Sequence, residues 1–408
     1  MVILSEAKDF SSAERFVVMN YTESEIMEYI EEEDAKFIRL AFRDAFGVQK
    51  NISVMPGEIH KAFKDGIPIN AKVIRGFEGS SDANLYLKPD ASTLSVLPWR
   101  PDSGRVLRMF CDVCKADGTP FEADTRNILK DAVAAAQKAG IEFRFGSEME
   151  FYLFKIDDEA KPTKIPYDEA GYMDIAPLDR GENIRRDICL TIEEMGLTPE
   201  RSHHERGPGQ NEIDFHYAKP IKAADQMTTF KMVVATVADR NGLYADFSPM
   251  PLSDKPGNGY HINIFAQDSE GKDVVKYAAA GILSKIKDIT IFLNPTDASY
   301  NRFGCGTAPD KVNWSNEGGS ELMTIDEVAG KTKVELRSPD ALSNPYLAYA
   351  LLIYAGLYGI ENKLNLPEEL EEELALLPKS RKEARAMAEK SDFVKEILPK
   401  SIIDKYLN

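Results

Sequence analysis

Residues 143–154 read FRFGSEMEFYLF. In a β-strand successive side chains point to opposite faces. The segment therefore sets Glu148 and Glu150 on one face and Met149, Phe151 and Leu153 on the other. A strand with one apolar face and two carboxylates centred on the other is an unusual object. Like charges at neighbouring positions of one face repel unless a cation lies between them.

Three further segments repeat the pattern. In GQNEIDFHY (209–217), Glu212, Asp214 and His216 oppose Ile213, Phe215 and Tyr217. In GYHINIF (259–265), His261 and Asn263 oppose Tyr260, Ile262 and Ile264. In TKVELRSPD (332–340), Glu335 and Arg337 oppose Val334 and Leu336. Any one of these suits a half-exposed sheet with polar residues facing water. Four in one chain point to a shared acidic face, and carboxylates with a single imidazole suit Mg²⁺ or Mn²⁺ better than zinc.

The rest of the chain places these strands. Its 408 residues suffice for two or three domains, with 43% hydrophobic and 29% charged residues, an ordinary globular balance. A net charge of −17 supplies no basic stripe for nucleic acid or anionic membranes. No apolar run reaches the ~20 residues of a membrane span, and MVILSEAKDF turns acidic too early for a secretory signal, so a soluble, cytoplasmic protein is expected. The four cysteines are too few for a disulfide framework. Cys111 and Cys114 form a lone CxxC without partners and read as strand residues.

Residues 22–33 read as a helix opened by Thr22, with Ser24 another possible cap. Residues 35–54 read as two strands turning near Gly47, and 58–66 as a short helix stopped by Gly66. Segments 85–99 and 105–113 add strands, which makes the first ~110 residues a small α+β unit. A capped amphipathic helix ending at Gly140 opens the next region, where strands and helices alternate. NPYLAYALLIYAGLYGI (344–360) reads as a buried helix, and the charged tail, EELEEELALL and KSRKEARAMAEK, as helical with a solvated face.

GSEMEFYLF, HHERGPGQNEIDF, GNGYHINIF, NPTDASYNRFG and VELRSPDALSNPYLAYALLIYAGLYGI resemble, in order, segments of the type I glutamine synthetase family. YLKPDASTLSVLPWR, FCDVCKADGTPFEADTR and FSPMP add to it, so the likeness runs from about residue 36 to 365. The resemblance implies an α+β fold: an N-terminal β-grasp domain over 1–117 and a catalytic domain over 118–408 whose sheet curls into a funnel. It implies a homo-oligomer, a dodecamer of two hexameric rings with sites between neighbouring subunits. It also implies ligation of glutamate to ammonia with ATP, through a γ-glutamyl phosphate.

Residue by residue, the resemblance makes Glu150, Glu205 and Glu212 the ligands of one metal ion. Glu148, His261 and Glu335 become those of a second, nearer the nucleotide. Arg302, Arg337 and Gly257 fall at positions that hold the acid substrate, and Lys333 and Glu200 at positions near the nucleotide. Two divalent ions would nearly neutralise the five carboxylates.

The departures cluster. Gly319 and Thr324 stand where the family carries arginines facing the phosphates, and losing such cations costs about 10³–10⁵ in rate elsewhere. Asn70 stands where the family has an aspartate that takes a proton from ammonium, which an amide cannot do. Thr307 falls at a flap glutamate, Met250 at a lysine, Pro256 at an asparagine and Phe265 at a serine.

Three readings stay open. The first is an ATP- and metal-dependent ligase of glutamate or a related acid with an amine other than ammonia. The second is a metal-dependent hydrolase or lyase of an amino-acid-like substrate that no longer uses ATP. The third is a non-catalytic relative.

Overall fold

The computed structural model describes residues 22–100, 103–328, 331–368 and 375–408. The N-terminal MVILSEAKDF and most of EELEEELALL lie outside the described residues.

The first sheet is built from β1 (Phe37–Arg43), β2 (Gln49–Val54), β3 (Ile67–Asn70), β4 (Asn84–Pro89), β5 (Ser95–Val96) and β6 (Val106–Cys114), in the order β2-β1-β6-β4-β3, with β5 beside β6. β1 and β6 run parallel while their other pairings are antiparallel. Glu23–Glu32 is helical, as expected; Thr22 and Glu25 form a reciprocal capping box that satisfies two free N–H groups. The short helix Ile59–Lys64 stops at Asp65 and Gly66. Cys111 and Cys114 lie in β6 and are buried, free thiols. This first sheet is the β-grasp unit.

The second sheet holds β7 (Ile141–Ile156), β8 (Pro162–Pro166), β9 (Pro199–His204), β10 (Gln210–Ala218), β11 (Leu243–Asp246), β12 (Tyr260–Asp268), β13 (Trp314–Ser315), β14 (Met323–Val328) and β15 (Lys331–Leu336). Its order is β13-β14-β15-β12-β7-β10-β9. The 16-residue β7 is its spine, pairing in succession with β12 and β11 along one edge and with β10 and β8 along the other.

The expected alternation decides the layers. Met149, Phe151, Leu153, Ile213, Tyr260, Ile262, Ile264, Val334 and Leu336 are all fully buried. Helices Thr125–Lys138, Pro220–Arg240 and Val275–Leu293 cover that apolar face. Pro345–Glu361 packs behind them and sends Tyr349 to the sheet, where its hydroxyl meets Ser147 Oγ at 2.7 Å and accepts from Tyr260 at 2.6 Å. No helix among the described residues is long and apolar enough to cross a membrane.

The first sheet is tied to the helices that cover the second by Arg126, whose guanidinium reaches Asp112 at 2.6 Å, Asp90 at 2.7 Å and Asp225 at 3.0 Å. In the tail, Arg381–Lys390 has its solvated face but buries Ala384 and Ala388. The last helix, Lys400–Leu407, buries Tyr406 against Phe46 and Phe292, which charge pattern alone does not foretell.

The alternation breaks in one place. A register shift between Phe215 and Ala218 leaves His216 exposed beside Glu200, while the Tyr217 ring meets Phe265 at 6.4 Å. The expectation that His216 shares the face of Glu212 and Asp214 therefore fails past the bulge, which re-aims the side chains that follow it.

Candidate active site

On the polar face the pairing register lines charges up in two rows. In one, His203, Glu212 and Glu150 stand side by side on β9, β10 and β7. In the next, Arg201, Asp214, Glu148 and His261 run across β9, β10, β7 and β12. Directly paired side chains on one face are about 5 Å apart at Cβ. Acid thus faces acid twice, at Glu212–Glu150 and at Asp214–Glu148.

Hydrogen bonds and ion pairs temper the repulsion unevenly. Glu148 accepts from Asn263 Nδ2 at 3.0 Å and has His261 Nδ1 at 3.5 Å and Lys333 Nζ at 3.6 Å. Burial opposes its ionisation, but the His261 imidazole, the Asn263 amide and Lys333 outweigh burial and hold its carboxyl below the usual range. Glu150 accepts from the Gly259 N–H at 2.8 Å and from Gln210 Nε2 at 3.0 Å. Burial still pushes Glu150 upward, with Glu205 adding to it. Burial raises Glu212 well above its ordinary value, and Glu150, Asp214, Glu205 and Glu148 add to that rise. Asp214 is raised by burial and then by Glu148. For His261, burial works against the imidazolium, yet Glu148 and Glu335 raise its affinity for a proton.

Among the described residues four acid groups bring ligand atoms within 4.8 Å of one another: Glu148, His261 and Glu335; His203, Glu205 and Glu212; Glu148, Glu212 and Asp214; and, behind them, Asp168, Asp179 and His204. The structure thus brings together Glu148, His261 and Glu335 as one set. It joins Glu205 and Glu212 with His203, while Glu150 stands beside Glu212 in the same row, held by Gly259 and Gln210. Asp214 Oδ1 and Asn263 Oδ1 are buried without a hydrogen-bond partner among the described residues. Unsatisfied oxygens among closely set carboxylates fit hard divalent cations.

The rows floor a cavity of about 380 Å³ whose walls include Gly319, Thr324, Glu335 and Arg337. A smaller cavity of about 60 Å³ adjoins it, sharing Glu150, Glu205, Arg206, His261 and Thr307 and adding Pro256, Gly257 and Arg302. Arg302 is buried and donates from Nη2 to the Ser338 carbonyl and, at 3.0 Å, to that of Pro339. Its Nε has no hydrogen-bond partner among the described residues. Arg337 donates to the Gly319 carbonyl and lies 3.3 Å from Glu335. Lys333 stands over Glu148, whereas Glu200 sits at the start of β9 beside His216, away from both cavities.

Two glycines are set by close approach. A Cβ on Gly257 would lie 2.2 Å from the Pro249 carbonyl and 2.9 Å from Arg302 Cγ. One on Gly259 would lie 2.7 Å from His261 Nε2. Glu205 is anchored from behind by buried His204, whose Nδ1 lies 2.6 Å from the Glu205 carbonyl and whose Nε2 lies 2.9 Å from Asp168.

Thr307 borders both cavities, Pro256 lines the smaller one and accepts from Tyr152 at 2.6 Å, and Phe265 meets Tyr217. Met250 packs beside Gly257. Asn70 ends β3 and caps the next turn through Lys72 N, away from both cavities.

The sequence reading missed Arg201, His203, Arg206 and Tyr172 as lining residues. The first three carry a signal. In PERSHHER (199–206), Arg201, His203 and Glu205 alternate as the other strands do, and Arg206 follows directly. Tyr172 sits in a loop, where no period points to it.

Known proteins bear on this geometry. A family profile described as "Glutamine synthetase, beta-Grasp domain" matches residues 34–116, and "Glutamine synthetase, catalytic domain" matches 122–408. The chain is 41% identical over 378 residues to a glutamine synthetase of Clostridium saccharobutylicum, covering 89% of this chain and 85% of that protein. It is 38% identical to one of Methanosarcina mazei, with 95% and 92% covered. Among solved structures it is similar to a GmaS/ADP complex, with a TM-score of 0.84, 25% identity and 93% of each chain covered. Apo GmaS gives the same TM-score at 26% identity, with 94% and 93% covered. With both profiles spanning most of its length and acid rows at the centre of its curled sheet, the chain belongs to the glutamine synthetase family.

Proposed function

We propose that the chain is an ATP- and divalent-metal-dependent ligase that joins the side-chain carboxylate of glutamate, or of a related acid, to an amine other than ammonia. The observation that carries this reading is the pair of acid rows, Glu150–Glu212 and Glu148–Asp214, closed by His261 and Glu335. A fold gains nothing from setting buried carboxylates face to face, so the arrangement serves a cation-dependent step.

Mg²⁺ or Mn²⁺, two or more ions, would be held by Glu148, His261 and Glu335 and by Glu150, Glu205 and Glu212, and would offset charge on phosphoryl oxygens. Arg302 and Arg337 grip the acid's carboxylates, and Gly257 leaves room for it beside Arg302. Lys333 brings a positive charge to the nucleotide side of Glu148, and Glu200 lies at that end of β9. In this reading the acid binds beside Glu150 and the nucleotide beside Glu148. The carboxylate oxygen attacks the terminal phosphorus, the bond to the bridging oxygen breaks and ADP leaves. The amine then attacks the acyl carbon, phosphate departs with the bonding pair, and the amine's proton passes to solvent.

The site lies open at a rim where Tyr172 and Met173 are each more than half exposed, and the chain beyond them exposes Ile175 and Leu178 as well. That apolar rim supports assembly with further copies of the chain, a dodecamer of two hexameric rings in the family's manner.

The test is ADP release with glutamate and a panel of amines, with Mg²⁺ and with chelator. One observation favours a second reading, a metal-dependent hydrolase or lyase without ATP: Gly319 and Thr324 themselves bring no cation to the cavity wall, where Arg337 is bound to the Gly319 carbonyl. Tight, Mg²⁺-dependent ATP binding by calorimetry would exclude it.

A further inference from the structure

Three arginines line the larger cavity, and they differ in what they hold. Arg201 pairs with Asp214 at 2.8 Å and stands 3.8 Å from Glu148. Arg337 stands 3.3 Å from Glu335. Arg206 has no carboxylate within ion-pair distance among the described residues. Its side chain meets Thr307 Oγ1 at 3.4 Å and the Tyr172 ring at 5.9 Å. It is exposed, and it alone of the three borders both cavities.

An arginine left without an acid in a cavity floored by acids is set for an anion that arrives from outside. A planar guanidinium has five donors in a fixed fork, which match a carboxylate in bidentate fashion. The same charge repels a small ammonium or alkylammonium ion close by, by about 1 kcal/mol at 4 Å in water and more where water is excluded.

The proposed ligase brings three ligands together, and two of them have their cations already. Arg302 and Arg337 serve the acid, while Lys333, beside Glu148, serves the nucleotide. Arg201 lies within β9, five residues before Arg206, which follows the end of that strand, and it faces that same Glu148. Arg206 remains for the third ligand, next to Glu205 and to the exposed Tyr172 and Met173 at the rim.

We propose that Arg206 holds an anionic group on the amine acceptor, so that the acceptor is an amino acid or another amine carrying a carboxylate. The assignment rests on the ligase reading above. It adds no new chemistry to the transfer: the acceptor's amino nitrogen forms the C–N bond, phosphate leaves with the C–O electron pair, and the nitrogen's proton goes to solvent. Arg206 fixes the far end of the acceptor and so acts as a specificity-determining residue.

The experiment pairs acceptors that differ only in the carboxylate: glycine against methylamine, and β-alanine against ethylamine, each with glutamate, ATP and Mg²⁺. Amide formation is measured for the native chain and for Arg206→Ala, Arg206→Lys and Arg206→Glu. The native chain should favour the carboxylate-bearing partner at least about tenfold in kcat/KM. Arg206→Ala should raise the KM of that partner about tenfold to a hundredfold, the worth of a charge-assisted hydrogen bond, and leave the KM of ATP and glutamate within about twofold. Arg206→Lys should restore part of the preference, and Arg206→Glu should turn it toward the alkylamines. Equal use of both partners by the native chain would overturn the proposal, as would an unchanged ratio in Arg206→Ala. A rise in the KM of ATP with the ratio intact would assign Arg206 to the phosphoryl group instead. Calorimetric titration of β-alanine and of ethylamine onto the metal-loaded protein reads the same preference without turnover. ADP release without an acceptor preference refutes this assignment alone, whereas absence of both ATP binding and ADP release refutes the ligase reading.

Discussion

Glu212 on β10 faces Glu150 on β7 across an antiparallel pair, with Glu212 buried and Glu150 half-buried. Without a cation, each opposes the other's ionisation. Replacing Glu212 by Gln removes one charge and keeps the shape. The metal-free Glu212→Gln protein should therefore unfold at the same temperature as the parent or higher. Its stabilisation by Mg²⁺ or Mn²⁺, about 2.7 kcal/mol for the parent at a hundredfold excess over Kd, should drop below about 1 kcal/mol. Thermal unfolding with and without metal reads both outcomes.

The same acids set a pH dependence. Folded Glu150, Glu212 and Asp214 keep their protons at higher pH than the same groups in the unfolded chain. Above the ordinary carboxylate range, about 4, the folded state therefore binds more protons than the unfolded state. Stability without metal must fall as pH rises from there through the raised values. His261, raised by Glu148 and Glu335, adds a loss of the same sign at higher pH. Glu148 works the other way, but only below the ordinary range. Between about pH 5 and 8 the chelator-treated protein should lose thermal stability, and divalent metal should flatten the decline because it takes the place of those protons.

Much of this face was legible in the sequence because strand alternation is a local rule. It placed Glu148, Glu150, Glu212, His261 and Glu335 on a common face and put Met149, Ile213 and Ile262 in the core. It failed where geometry is not local. A bulge after Phe215 turned His216 away, and only the cross-strand register shows that Asp214 faces Glu148 and that Arg201 ends the row. The tail helix Lys400–Leu407 was invisible because Tyr406 docks on Phe46, some 360 residues earlier.

Gly259 is tested by adding one methyl group. Its Cβ would meet His261 Nε2 at 2.7 Å, so the ring must turn from Glu148 and Glu335. Gly259→Ala should weaken metal binding about tenfold to a hundredfold, the usual cost of misorienting a ligand, while circular dichroism stays that of the parent.

Arg302 lies beneath the smaller cavity, tied to two carbonyls. Arg302→Lys keeps the charge but loses the fork. In the proposed ligase it should raise the KM of the acid about tenfold or more, with the KM of ATP nearly unchanged. Initial-rate kinetics with each substrate varied in turn check this split.

The central claim is that the acid rows serve metal-dependent transfer from ATP. The most direct measurement is ADP release by the native chain with glutamate, a panel of amines that includes carboxylate-bearing ones, and Mg²⁺ or Mn²⁺, repeated with chelator and with Glu212→Gln. The account predicts ADP formed in step with amide, abolished by chelator and reduced at least a hundredfold in Glu212→Gln. Failure of every acid–amine pair to yield ADP in the presence of metal, or ADP release indifferent to chelator and to Glu212→Gln, would contradict it.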